Sequence, residues 1–173
     1  MKFLFFTVFL FSATLLQAQY LAVKKDAPFF DFDISGSSGN YNGKTYTELH
    51  LGINMNFAEW LIWRNAAFKR MSPGVEADLT GIDSSLRFVL NTQVQEAGIK
   101  IFAGPGYRWA DPSEKNAIFG EAGAGIQIGR FGASTGLRYL RYDKPQSNSI
   151  REATKQEDMT YFITIAGGAG LSF

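Results

Sequence analysis

Apolar and polar residues alternate with a period of two along most of the chain beyond residue 28. In the clearest segment, Tyr161, Ile163 and Ile165 alternate with Thr164 and Ala166. Successive side chains of a β-strand point to opposite faces, so this period predicts strands with one apolar face and one polar or small face. Eight such strands are predicted, over residues 29–37, 44–57, 61–69, 77–90, 98–110, 117–129, 131–142 and 160–173.

The predicted connections between these strands alternate in length. Longer polar connections are expected at 36–43, 70–76, 111–116 and 143–159, and mostly shorter ones at 58–60, 91–97 and 130. Bacterial outer membrane barrels have an even number of strands, short periplasmic turns and longer outer loops. The fold class is therefore predicted as all-β, an eight-stranded antiparallel up-and-down transmembrane β-barrel. Gly104-Pro105-Gly106 places a proline in mid-strand and predicts a bulge or a local break in the ladder.

The composition of the polar face favours a lumen rather than a water-exposed surface. In a soluble barrel the apolar face points inward, whereas in a membrane barrel it points to lipid. Five acids, five bases and one histidine share the polar face with pairs of glycines, which leave room for large side chains. The predicted polar network of the lumen comprises Asp31, Asp33, Glu48, His50, Arg64, Asp83, Arg87, Lys100, Arg108, Glu121 and Arg138. A soluble periplasmic ligand-binding barrel stays open as an alternative.

Aromatic residues fall near both ends of the predicted strands. Two aromatic belts around an aliphatic band are typical of outer membrane proteins. The predicted belts comprise Tyr107, Trp109, Tyr139 and Tyr161 at one end and Phe57, Phe88 and Phe173 at the other. The predicted strand at 61–68 is less regular, because placing Trp63 outward and Arg64 inward leaves the polar Asn65 outward as well.

The first 18 residues have the pattern of a secretory signal peptide. Lys2 precedes an apolar run over 3–16, and Ala18 offers a small residue at the cleavage position. The run is shorter than the roughly 20 residues that a membrane-spanning helix needs. We therefore expect a cleaved signal peptide at 1–18, a periplasmic segment at 19–28 and the barrel at 29–173. The mature chain would carry 16 basic and 16 acidic residues, since removing 1–18 takes away Lys2 and no acid.

Composition excludes several classes of site. The chain has no cysteine and one histidine, so disulfides, thiolate metal sites and His-rich metal sites are not expected. The balanced charge argues against electrostatic binding of nucleic acid. The pair Asp31 and Asp33 has no ligand-rich loop beside it, so no cation or other cofactor is predicted.

The terminal strand 161–173, ending on Phe173, resembles the signature that the bacterial barrel assembly machinery recognises. In length and strand count the chain resembles the small outer membrane barrels of the OmpA transmembrane-domain and OmpX type. The resemblance implies a bacterial outer membrane location and a monomeric barrel with a plugged polar interior. It also implies contact with membrane lipid, lipopolysaccharide and the assembly machinery, and a structural or surface-interaction role.

An enzymatic alternative rests on His50, the single histidine. The chain is similar in size to eight-stranded barrels that modify lipid A, and one deacylase type uses a histidine and a serine two residues apart on the lipid-facing side. Here the residue two after His50 is Gly52, so we interpret His50 as a lumen residue and expect no catalysis. The loop 143–159, which carries seven charged residues, is the expected contact point for an external partner.

Overall fold

The computed structural model describes residues 29–41, 44–71, 79–94, 97–128, 131–146 and 155–167. The predicted signal peptide, the segment 19–28 and Phe173 lie outside these residues. The described residues form eight strands and one 3₁₀ turn, η1, at Ser113–Lys115. The strands are β1 Phe30–Tyr41, β2 Lys44–Ala58, β3 Leu61–Met71, β4 Thr80–Val94, β5 Ala97–Asp111, β6 Ala117–Ile128, β7 Phe131–Gln146 and β8 Lys155–Gly167.

The eight strands close into a barrel in which each strand pairs antiparallel with its neighbours in sequence, and β1 pairs with β8. The closing ladder sets Ile34 opposite Ile165. Closure removes the free edges that an open sheet would leave. The predicted fold class, an all-β, eight-stranded antiparallel up-and-down barrel, is confirmed. Within the described ranges, no helix is long and apolar enough to cross a membrane.

Two predicted long connections are wrong at their boundaries. β1 continues to Tyr41, so the connection expected at 36–43 shrinks to residues 42 and 43. The expected loop 143–159 is also mostly strand, because β7 extends to Gln146 and β8 begins at Lys155. Both segments carry polar side chains at successive positions, a pattern that predicts a loop. Backbone pairing between strands does not depend on side-chain polarity, so the strands continue through them.

The apolar face of the barrel points outward and the charged face points inward. Ile101 is 55% exposed and Ile163 is 65% exposed, whereas Arg108 is 0% and Glu121 is 4% exposed. Along β3 the buried residues recur at every second position. This orientation is the reverse of that in a water-soluble barrel, where the apolar face fills the interior.

The ladder between β4 and β5 is broken where the sequence predicts it. Pairing runs from Thr80 opposite Asp111 to Ser85 opposite Gly106, skips two positions, and resumes with Phe88 opposite Ala103. The skipped segment of β5 contains Pro105, which has no N–H to donate. The break leaves the register unchanged and produces a recess on the outward face.

Two apolar clusters in the lumen lie on either side of its central charged residues. One lies toward the end with longer connections and comprises Tyr46, Ala117, Phe119, Leu140 and Tyr142. The other comprises Ile62, Val89, Phe102 and Phe162. Glycines make room for the large rings: a Cβ on Gly123 would lie 2.6 Å from the Phe102 ring. Apolar side chains therefore fill the lumen at two levels, on either side of the charge pairs at its centre.

Candidate functional site

Arg108 lies at the centre of the lumen and links two acids from different strands. Its guanidinium donates to both carboxylate oxygens of Asp83 on β4, at 2.7 and 2.9 Å. It also donates to both oxygens of Glu48 on β2, at 3.0 and 2.9 Å. The same guanidinium lies 4.0 Å from the ring centroid of Phe68. One buried arginine thus neutralises two carboxylates in a planar, bidentate arrangement.

The network continues to the far side of the barrel. Arg138 on β7 donates to Asp83 at 2.6 Å and to Glu121 on β6 at 3.0 Å. Arg87 on β4 donates to Glu121 at 2.7 Å, and the hydroxyl of Ser85 donates to the same oxygen. The charge pairs therefore connect β2, β4, β5, β6 and β7 through the interior.

Arg70 and Asp158 also belong to the lumen, although the sequence pattern predicts both in loops. Arg70 donates to Glu48 at 3.0 and 2.9 Å, and its guanidinium lies 3.8 Å from the ring centroid of Tyr46. The Tyr46 hydroxyl donates to Asp158. The sequence contains a pattern that predicts the inward position of Arg70, because Arg70 continues the alternation that places Arg64 inward along β3. The two missed residues add one base and one acid, so the charge balance of the face is kept.

A second group of charges lies toward the end of the lumen with short turns. Arg64 donates to Asp33 at 2.8 and 2.6 Å. Asn54 donates to Asp33 at 2.8 Å and to Asp31 at 2.6 Å. Asp31 is only half-buried, which places it nearer to the mouth.

Lys100 differs from the other predicted lumen residues. It lies on the inward side of β5 and is half-buried, with Asn91 and Gly125 as its cross-strand neighbours. Within the described part of the chain, its ammonium has no hydrogen-bond or ion-pair partner. Sequence alternation places this residue correctly on the inward face but carries no information on its pairing.

His50 lies among acids and a serine. Its Nε2 is 3.2 Å from the Ser37 hydroxyl and 3.4 Å from Glu48, and its Nδ1 is 3.5 Å from Asp83. A serine, a histidine and a carboxylate in this order resemble the triad of serine hydrolases. However, Ser37 is 4% exposed and His50 is 1% exposed. A substrate carbonyl has no route to the hydroxyl, so the arrangement fits a packed polar interior.

The predicted belt residues that the structure describes point outward. Tyr107, Trp109, Tyr139 and Tyr161 lie toward the end with longer connections, and the Tyr107 hydroxyl donates to Asp143 at 2.5 Å. At the other end Phe57 stacks with Trp63, and Phe88 stacks with Trp60. Trp60 lies in the turn between β2 and β3, as predicted, but was not counted among the belt residues.

The lumen carboxylates are not arranged as a metal site. Asp33, Glu48, Asp83 and Glu121 each meet at least one arginine. Among the residues described, no three or more histidine and acidic side chains form a group that could hold a metal ion. The chemistry of this site is therefore the mutual neutralisation of buried charges.

Comparison with known proteins finds a solved structure of similar fold. No family model and no curated protein matches the chain. The crystal structure of the outer membrane enzyme PagL aligns with a TM-score of 0.50 over 78% of this chain and 97% of PagL. The chain has the fold of an outer membrane β-barrel. The identity of 19% limits the likeness to architecture, and it does not distinguish the OmpA or OmpX type from other small barrels.

Proposed function

We propose that the protein resides in the bacterial outer membrane as a closed, non-conducting barrel with a structural or surface-interaction role. The observation that carries this proposal is the chain of charge pairs across the lumen, from Glu48 through Arg108, Asp83 and Arg138 to Glu121. The exposed apolar outer face supports the location, because only lipid accommodates so much apolar surface on a barrel. We propose membrane lipid and lipopolysaccharide as its surroundings and a monomer as its state.

The energetics of the lumen favour a plug over a pore. An eight-stranded barrel has an interior just wide enough for its own side chains. Opening a path for ions would separate buried charges that now neutralise each other, and an unpaired buried charge is costly. Tyr46 and Phe102, from the two apolar clusters, occupy the lumen on either side of these charges.

An enzymatic role is less well supported by the geometry. PagL is an outer membrane enzyme, but a likeness at 19% identity does not transfer an activity. The single histidine of this chain lies in the lumen rather than on the outward face, and both its neighbours Ser37 and Glu48 are buried. We therefore propose that His50 packs and orders the interior.

Single-channel recording tests the closed lumen. After reconstitution into a planar lipid bilayer, we expect the full-length mature chain to give no discrete conductance steps, because the charge pairs block the lumen. A sixteen-stranded porin, whose lumen is an aqueous channel, is the positive control. Protection of the reconstituted barrel from protease shows that it has inserted. Regular conductance steps from the inserted protein would contradict the proposal.

A further inference from the structure

A groove runs along the outward face between β4 and β5, at the break in the ladder. It is lined by Trp63, Ser84, Leu86, Pro105, Tyr107 and Trp109. A Cβ on Gly104 would lie 1.7 Å from the carbonyl oxygen of Leu86, so this position admits only glycine. Next to this close backbone approach, Pro105 and Gly106 line the groove between its aromatic side chains.

One polar outward side chain, Ser84, lines this groove, and a second, Asn65, lies beside it. The Ser84 hydroxyl accepts a hydrogen bond from Nε1 of Trp63 at 2.8 Å, and its own proton remains to donate. Asn65 is the Cα partner of Ser84 across β3 and β4, so the two side chains lie side by side on the outward face. Among the described residues, the Asn65 carboxamide has no hydrogen-bond partner, although it is half-buried.

An unpaired carboxamide in contact with lipid is unfavourable, because the hydrocarbon region offers no water to bond it. Asn65 offers two donors and one acceptor, and Ser84 offers one donor. A partner that both donates and accepts satisfies these groups better than an ester, which only accepts. An amide linkage or a hydroxyl close to an acyl chain has that chemistry.

A basic residue lies above the groove on the same face. Lys69 is four residues beyond Asn65 on β3, which corresponds to about 13 Å along the strand toward the end with longer connections. Its side chain is exposed and has no ion-pair partner within the part of the chain that the structure describes. An ammonium at that height suits a lipid phosphate.

We propose that this groove binds lipid A, the phosphorylated glycolipid of the outer leaflet, with one acyl chain between Trp63, Leu86 and Tyr107. The amide or hydroxyl of that amide-linked, hydroxylated chain meets Asn65 and Ser84, and Lys69 contacts a phosphate. The inference rests on the outer membrane location proposed above. It concerns binding alone and requires no reaction.

Native mass spectrometry of the full-length mature barrel, released from detergent micelles, tests the site. The protein is titrated with purified lipid A and, in parallel, with phosphatidylethanolamine of matched chain length. We expect one retained lipid A, at a concentration at least tenfold lower than the phospholipid requires. Asn65→Leu and the groove-filling Leu86→Trp should each weaken lipid A retention at least fivefold.

The matched controls are Asn40→Leu and Leu51→Trp, which change outward residues on β1 and β2 away from the groove. Heat-modifiable migration in gels checks that every variant folds. If Asn65→Leu does not fold, Leu86→Trp still tests the site. Equal retention of the two lipids, unchanged retention by the folded groove variants, or a dimer that Asn65→Leu abolishes would overturn the proposal. Recovery of the protein without detergent from the aqueous fraction would instead refute the membrane location, and the inference with it.

Discussion

Replacing Arg108 with methionine is expected to lower the free energy of unfolding by about 3–5 kcal/mol, because it removes one partner of a buried ionic network. Methionine keeps much of the side-chain volume and removes the charge. Glu48 loses its bidentate partner from β5 and keeps Arg70, while Asp83 keeps Arg138. Each carboxylate is then left with less compensation in a site that water does not reach. Urea titration in lipid vesicles, followed by tryptophan fluorescence, measures the change.

Two further variants distinguish the loss of the buried ion pairs of Arg108 from the effect of removing any arginine. Arg141→Met removes an exposed arginine on β7 and should change the unfolding free energy by less than about 1 kcal/mol. Arg108→Lys keeps the charge but loses the bidentate geometry, so it should fall between the wild type and Arg108→Met. If Arg108→Met were as stable as the wild type, the network would not hold the lumen as described.

Replacing Ile101 with arginine is expected to lower the free energy of unfolding by up to about 2–4 kcal/mol, the magnitude for a cationic side chain at the midplane of a membrane barrel. Ile101 lies within the outward apolar band on β5, four residues inside the strand end at Ala97, and its side chain is exposed. The guanidinium must then enter lipid or draw water into the bilayer. The same urea titration in vesicles provides the measurement.

The matched variant is Ile128→Arg, at the end of β6 next to a short turn. Ile128 is as exposed as Ile101, but it lies close to the predicted membrane boundary, where the cost falls to about 0–1 kcal/mol. A difference between the two positions reports depth in lipid. Equal, small effects at both positions would indicate that the outward face is in contact with water.

The fold could be predicted from the sequence because one face of each strand is apolar along most of its length. Ile99 and Ile101 alternate with Lys100 because one side of the sheet faces lipid and the other faces the lumen. This pattern does not depend on which strands pair. The strand ends were harder to place. Beyond the apolar band both faces of a strand are polar, as at Asp143 and Lys144, and alternation then carries no signal. β7 extends there past an interruption of its ladder with β8 after Arg141, to a last pair of Gln146 with Lys155, which no local pattern shows.

The candidate site could be predicted only in part. The alternation of side chains along each strand predicts Arg108, Asp83 and Glu121 on the inward face. It could not tell which acid each arginine would meet, because β5 and β2 approach each other only after the barrel closes. The same limit explains why Lys100 was grouped with paired residues, and why Asp158, whose partner Tyr46 lies 112 positions away in the chain, was missed.

A single-cysteine labelling experiment on β8 tests most directly whether charged residues fill the lumen and apolar residues face lipid. The chain has no cysteine, so Ile163→Cys and Thr164→Cys each give one attachment site for a nitroxide. In protein reconstituted into vesicles, we predict that the label at 163 collides freely with oxygen dissolved in the lipid and not with a water-soluble nickel complex. The label at 164, which points into the packed interior, should be shielded from both. Strong collision of the nickel complex with the label at 163, or of lipid-dissolved oxygen with the label at 164, would contradict the account.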